Sequence, residues 1–278
     1  MKDIRQSEMF ADFMEKIGWQ TKLLDKNFIY LRRFPILGNF AKLPRIVKLR
    51  TETIPLFIKE YNIFHMKVSP FLKVSNSSNN LKTILFNNDF QIEKFPFNPT
   101  TTIQIGLRKD INNIFSNFNE AKRRAVRRAL KNQIEIRESD DLDSFIMIRK
   151  KQYSPMGFLL VKEMQALWDT FYPTNASLLL AYHPKEKTAF SGILLLFYRD
   201  TAYYWYASSL LLGKKSFAPT LLVWEALKLS KKRGYKFFDF EGIYDERFPK
   251  AGKSWKGFTK FKEGFGGEKI IFLENFYK

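Results

Sequence analysis

From Ser177 to Phe240 the sequence runs strand, strand, strand, helix, strand, an order that points to mixed α and β structure and that many such proteins share. Ser177 to Tyr182, Thr188 to Tyr198 and Thr201 to Ser208 are strand-sized apolar runs, with Arg199-Asp200 as a tight turn between the last two. Pro219 suits the first turn of a helix, where its missing N–H costs nothing, and Gly234 suits the end of a helix running to Lys232. Phe237 to Phe240 reads as one more strand. An antiparallel meander followed by a helix and a further strand predicts an α/β domain with a mixed sheet.

The remainder of the 278 residues is long enough for a second domain. Apolar spacing predicts a helix over Glu8 to Ile17, ended by Gly18, then strands over Phe28 to Phe34 and Phe40 to Leu49. Glu52 to Tyr61 reads as a helix with Pro55 near its start. Met66 to Val74 and Leu81 to Phe86 read as strands on either side of a polar turn, Ser75 to Asn80. Phe95-Pro96-Phe97-Asn98-Pro99 breaks the pattern, so the domains are placed at 1–96 and 97–278. An alternating strand, Thr101 to Leu107, then leads into one long helix from Ile111 to Gln133. A strand over Ile134 to Arg137 and helices over Leu142 to Gln152 and Leu159 to Phe171 complete this region.

The formal charge of +19 draws polyanions by long-range steering, so RNA, DNA, anionic lipid and phosphorylated metabolites are all candidate partners. With no cysteine, disulfides, thiolate metal sites and cysteine nucleophiles are all excluded. His65 and His183 lack ligand-like spacing, so a metal is not expected. The start, Met1-Lys2-Asp3-Ile4-Arg5, lacks the apolar stretch of a signal peptide, and apolar runs such as Gly192 to Tyr198 are far short of a membrane span. A cytoplasmic protein is expected, with peripheral contact to an anionic membrane surface left open.

The positive charge is densest between Lys122 and Lys131, where six cationic side chains lie on a predicted helix. Arg123 and Arg127 share a face, as do Arg124 and Arg128, and such stacking is unfavourable unless an anion neutralises it. A guanidinium chelates phosphate oxygens in pairs, which makes a diphosphate a natural partner. The plainer alternative is a solvated face, or pairing with Glu120 or Glu138. Asp239 and Glu241 alternate with Phe238 and Phe240. They are candidates for a general base or for orienting an amine, against a strand-end cap or a pair with Arg247. Gly252-Lys253-Ser254 resembles the end of a phosphate-binding loop, but Arg247 stands where that loop needs glycine. Gly213-Lys214-Lys215 has one glycine, and so few free N–H groups for a coenzyme A pyrophosphate.

Six segments in order resemble the FemABX family of peptidoglycan bridge-forming aminoacyltransferases. They are Gln6 to Phe10 with Gly18-Trp19; Pro96 to Leu107; Lys122 to Ala129; Tyr204 to Ser209; Pro219 to Ala226 with Phe238 to Gly242; and Phe261-Lys262-Glu263-Gly264-Phe265-Gly266-Gly267. Ala121 and Lys122 stand where the family usually has a Ser or Thr hydroxyl. The resemblance implies two tandem GNAT-like acyltransferase domains, with the last strand, about 269–278, returning to the first. It also implies transfer of an amino acid from aminoacyl-tRNA to the peptide amine of a UDP-muramyl-peptide or lipid-linked precursor, with no cofactor beyond that donor. An acyl-CoA-dependent N-acyltransferase and a non-catalytic RNA-binding protein are the alternatives.

The family's phosphate ligands fall on Arg123, with Arg127 on its face, and on Lys22; its catalytic pair falls on Phe261 and Lys262. A fixed ammonium would stabilise the tetrahedral oxyanion of aminolysis. The same lysine, with Lys253, Lys256, Lys260 and Lys269 nearby, also fits a solvated turn. Tyr206 and Trp224 are candidates to line the acceptor channel, or core residues.

Overall fold

The structure is a computed structural model and describes residues 2–74, 79–154, 161–184 and 188–278. In chain order its elements begin with α1 (Glu8–Lys16), β1 (Gln20–Leu24), β2 (Asn27–Phe34), β3 (Gly38–Ile46), α2 (Thr53–Glu60), β4 (Ile63–Pro70), α3 (Asn79–Asn87) and β5 (Gln91–Ile92). Next come β6 (Thr101–Gly106), α4 (Ile111–Ser116), α5 (Glu120–Lys131), β7 (Glu135–Ser139), α6 (Leu142–Gln152), α7 (Val161–Phe171), β8 (Ala176–Tyr182), β9 (Ala189–Tyr198) and β10 (Thr201–Ser209). Last are α8 (Leu211–Lys215), α9 (Ala218–Lys232), β11 (Phe237–Asp239), α10 (Lys256–Glu263), β12 (Glu268–Ile271) and β13 (Phe276–Tyr277).

The chain forms two compact units, one of Met1–Thr102, Tyr244–Lys256 and Ile270–Lys278, the other of Ile103–Ile243 and Gly257–Lys269. The pattern in the sequence gives a single boundary near residue 97, whereas contacts gather two late segments with the first unit.

The first unit is built on a six-stranded sheet, ordered β1-β2-β3-β4-β13-β5. The β1–β2 hairpin closes on Asp25 and Lys26, both at positive φ (49° and 65°), as a two-residue turn matched to strand twist requires. α1 starts where the Ser7 side chain accepts from the Phe10 N–H, satisfying one of the helix's free donors. The core is aliphatic and aromatic, with Ile29, Leu43, Ile46, Val68 and Phe276 fully shielded from solvent. Leu81 to Phe86, expected as a strand, lies in α3: Leu81 and Leu85 are buried one helical turn apart, so the spacing of four decides over β propensity. Ser75 to Ser78 of the expected turn, and Leu159 and Leu160 of the expected helix before Phe171, fall outside the described residues.

The second unit holds the seven-stranded sheet β12-β6-β11-β10-β9-β8-β7. β7 to β10 form the antiparallel meander, and β11 joins β10 in parallel after the crossover through α9. α9 carries Pro219 in its first turn and is followed by Gly234 at φ +86°, as the sequence pattern requires. The single helix expected over Ile111 to Gln133 is two helices. Phe118 is buried among aromatic rings, which pulls the chain inward, and the Asn119 side chain caps α5 by accepting from the Lys122 N–H. The last strand expected over Lys269 to Tyr277 is also two pieces, β12 and β13.

Candidate functional site

β11 pairs with β10 only from Thr201↔Phe237 to Tyr203↔Asp239. Past that point β10 continues beside β9 as far as Ser209, while the other chain turns away. The Phe240 N–H donates to Ile103 O, and Glu241 and Gly242 take positive φ (59° and 118°). A cavity of about 500 Å³ opens along the unpaired length of β10, lined in part by Tyr204, Ser208, Ser209, Phe217, Phe258 and Phe261. The strand predicted to reach Phe240 therefore ends at Asp239, and Glu241 does not alternate with Asp239 along it.

A bulge fixes which aromatic faces this space. Tyr204 pairs with Leu195 but Tyr206 with Leu194, so Trp205 is the extra residue. Neighbouring partners point to opposite faces of a strand, and the bulge thereby separates two tyrosines that simple alternation would put together. Tyr204 lines the cavity; Tyr206 does not, and its Oη donates to Glu163 Oε1 at 3.3 Å. Trp224 also stays out of the lining, packed against Phe115 and Phe118 beside the core.

Lys262, in the last turn of α10, is only 8% exposed and is not the solvated turn lysine of the plainer reading. Its Nζ donates to Phe240 O at 2.8 Å and Gly242 O at 2.6 Å, the carbonyls freed where the strand ends. The rings of Tyr204 and Phe258, both lining the cavity, lie 5.6 and 5.5 Å from the same nitrogen. Burial pulls its pKa down to about 8, against the opposing pull of Glu241 and Asp239. An ammonium has three N–H donors, and two are committed here. Asp239 Oδ1 accepts from the Glu241 N–H at 2.8 Å, and Arg247 pairs with Asp245 rather than with either acid.

The basic helix α5 meets this region through Lys122. Its ammonium sits 3.6 Å from the Phe261 ring centroid and 4.8 Å from that of Phe265, and burial lowers its pKa to about 8. A Cβ at position 264 would lie 2.8 Å from Lys122 Cε, so glycine there lets the lysine cross to the rings. The Asn119 N–H donates to Gly264 O at 2.9 Å, a second tie between the two segments.

Arg123 Nη1 donates to Ser116 O at 2.9 Å and also to Phe118 O, satisfying carbonyls at the break between α4 and α5. Arg124 pairs with Glu120 at 3.1 Å, an exposed i,i+4 contact that contributes little. Arg128 lies over the Phe217 ring at 5.6 Å, and Arg127 is exposed with no ion pair among the described residues. Glu138 takes Arg233, not a residue of α5. Lys22 belongs to the first unit, exposed on β1 with its ammonium 5.7 Å from the Tyr61 ring.

The segment around Gly213 is a short helix, and the N–H groups of Lys214, Ser216 and Phe217 donate to Leu210 O, Leu212 O and Lys214 O. Those three donors are spent within the chain and are not offered to a pyrophosphate. Sequence reasoning missed Tyr204, Phe258 and the hydroxyl wall of Ser208 and Ser209. The Phe261 motif and the Tyr204 to Ser209 segment pointed toward this wall without singling these residues out.

The sequence profile of the FemAB family matches residues 175–277, which take in β8 to β10, α9 and the Phe261-Lys262 segment. No curated protein matches the sequence. The fold is similar to the crystal structure of FemX, with a TM-score of 0.79 at 16% identity over 99% of this chain and 92% of that one. It is similar also to L-PGS from Bacillus licheniformis (TM-score 0.60, 12% identity, 96% of this chain and 86% of that one). A tandem GNAT protein from the clavulanic acid biosynthesis pathway aligns with a TM-score of 0.55 at 8% identity, over 92% of this chain and 80% of that one. The FemAB profile lies on the second sheet, and the frame is that of two GNAT-like domains, similar in fold to FemX.

Proposed function

We propose that this protein is an aminoacyltransferase that moves an amino acid from aminoacyl-tRNA to the peptide amine of a peptidoglycan precursor. The match of the FemAB family profile to residues 175–277 supports the reaction class, and the likeness in fold to FemX points the same way. The observation that carries the chemistry is the third N–H of Lys262. It is left without a partner among the described residues, on an ammonium flanked by two cavity-lining rings.

In this reading the acceptor amine attacks the ester carbonyl of the donor, and a C–N bond forms as the carbonyl oxygen becomes an oxyanion. Lys262 donates its remaining N–H to that oxygen, pre-aimed by the carbonyls of Phe240 and Gly242. Collapse breaks the C–O bond, and the proton lost by the amine ends on the released hydroxyl. No electron transfer is needed, and no cofactor beyond the donor. Phe261 packs against the Lys122 ammonium and forms part of the wall. Arg123 and Arg127 hold an anionic group of a substrate; Lys22, on β1 of the first unit, is a separate candidate phosphate ligand. The +19 charge favours both a tRNA and a phosphorylated or lipid-linked acceptor. Such substrates place the enzyme in the cytoplasm, at the inner membrane face when the acceptor is lipid-linked; no described helix is long and apolar enough to cross a membrane.

The test is incubation with charged tRNA and muramyl-peptide acceptors, nucleotide- and lipid-linked, followed by mass measurement of the acceptor, with acetyl-CoA in parallel. A gain of one aminoacyl residue is expected. A gain of acetyl alone would reassign the donor. RNA binding that falls steeply with salt, without product from any donor, would reassign the protein as a binding module.

A further inference from the structure

The loop joining β2 to β3 carries apolar side chains that the fold does not bury. Ile36 is fully exposed, Leu37 is 58% exposed, and Phe34 and Phe64 are 41% and 44% exposed. The Phe34 and Phe64 rings meet edge to face at 5.8 Å, which joins Phe64 of β4 to the loop residues in one patch. Exposed leucines standing singly, such as Leu23 and Leu56, need no explanation, whereas a cluster at a hairpin end does. Ile36 also stands at φ 73°, a region that a β-branched side chain enters only under strain. An isoleucine in that conformation, wholly in solvent, gains no burial in return.

The patch is held in place. Phe34 pairs with Gly38 across the base of the loop, the Leu37 N–H donates to Pro35 O at 2.9 Å, and the Asn39 N–H donates to Asn62 O at 2.8 Å. Gly38, at φ 99°, lets the loop lie against the connection before β4, because a Cβ there would collide with Asn62 O. The charge around the patch has one sign. Arg32 and Arg33 precede it, both exposed and without an ion pair among the described residues; Arg32 lies over the Trp19 ring at 5.5 Å. Between Asp25 and Glu52 the chain has seven cationic residues and no acid.

Apolar side chains at a hairpin end with arginines at its base match the layering of a bilayer surface, where acyl chains lie beneath anionic headgroups. Arginine stems can lie along the apolar layer while their guanidinium groups stay at headgroup level. A second copy of this chain would instead bring the same arginines to the contact and set like charges against each other. We propose that the β2–β3 hairpin end is a membrane contact, in which Phe34, Ile36, Leu37 and Phe64 enter the surface of an anionic bilayer and Arg32 and Arg33 engage its phosphates. Such attachment would bring the protein to an acceptor held in a bilayer, but the contact stands without the acyl-transfer reading.

The test uses the full chain with vesicles of phosphatidylcholine alone or mixed with phosphatidylglycerol. Cosedimentation is expected with the mixed vesicles, and the double variant Ile36→Asn, Leu37→Ser should weaken it about tenfold or more. Arg33→Gln should weaken it several-fold, with a smaller difference at high salt. Asparagine tolerates positive φ, so the double variant is expected to melt near or above the wild-type temperature. Because the sequence has no cysteine, one introduced cysteine carries an environment-sensitive dye at a single site. Dye on Ile36→Cys is expected to brighten with mixed vesicles. Dye on Leu23→Cys, whose partner Phe28 lies about 20 Å back along β2 from Phe34, is expected not to. Binding unchanged in the double variant, or no brightening at position 36, would overturn the proposal in favour of adsorption through general positive charge. Absence of binding would overturn it as well, as would a wild-type dimer that the double variant loses, which would make the patch a contact between copies. No donor or acceptor enters these measurements, so failure of the vesicle test and failure of the transfer assay remain distinguishable.

Discussion

Replacing Lys262 with Met removes the ammonium while keeping most of the side chain's length, and the structure lets both consequences be sized. On the stability side, Phe240 O and Gly242 O lose their buried donor, at about 1–3 kcal/mol each. Against this, the folded state no longer buries a cation whose pKa has dropped from 10.5 to about 8, a relief on the order of 3 kcal/mol. The two nearly offset, so the variant should fold and melt within several degrees of the wild type. On the catalytic side, loss of one preorganised donor to an oxyanion costs roughly 10²–10³ in kcat. Steady-state kinetics with charged tRNA, alongside a thermal melt, read both. The expected result is a collapse of kcat with KM for either substrate changed by less than about threefold. A variant that melts like the wild type and keeps kcat within about threefold would refute the role given to Lys262.

The same ammonium sets a pH dependence. Because burial holds the folded-state pKa near 8, below the ordinary 10.5, the charged form is penalised in the native protein at lower pH and the penalty fades as pH rises through that window. Turnover, which needs the proton, should fall above about pH 8 while this residue's contribution to stability rises; kcat profiles and melts over the same range check the opposed signs. Arg123→Ala should raise the KM of the substrate whose anion it holds, and a lower melting temperature with unchanged KM would restrict it to capping Ser116 O and Phe118 O. In the first unit, burial would raise the Asp245 pKa, but hydrogen bonds from Arg247, Thr100 and Thr101 overcome it and hold the carboxyl below the usual carboxylate range. The stability it contributes is present at neutral pH and is lost as pH falls. Asp245→Asn should therefore lower the melting temperature at pH 7, and the gap to the wild type should close in acid.

The meander, the α9 crossover and their turns were legible because local signals and tertiary packing agree: Arg199 at positive φ, Pro219 in a first turn, Gly234 after a helix. The break at Phe118 was not, since only burial among the rings of Phe115, Trp224 and Phe265 interrupts an otherwise continuous helical stripe. Lys262 entered through its motif, and nothing in its spacing distinguished it from its lysine neighbours; burial and two carbonyls do that in space. Tyr204 and Tyr206 look equivalent in sequence, and a bulge invisible to alternation sends them to opposite faces.

The place of β13 inside the first unit's sheet constrains how the protein is made. Phe276 pairs with Val68 on one side and with Ile92 on the other, so this short strand is a bridge rather than an edge. Until it arrives, β4 and β5 have no common partner, and two rows of backbone donors and acceptors stay open to water or to a wrong strand. During synthesis most of the first unit leaves the ribosome long before residue 276 does, so that sheet can be completed only after residue 276 has emerged. The second unit, continuous from Ile103 to Ile243, has no such wait for most of its strands. The order of maturation therefore inverts the order of the sequence, and a chain stalled short of Phe276 would carry an unfinished amino-terminal sheet exposed to proteases and to its own copies.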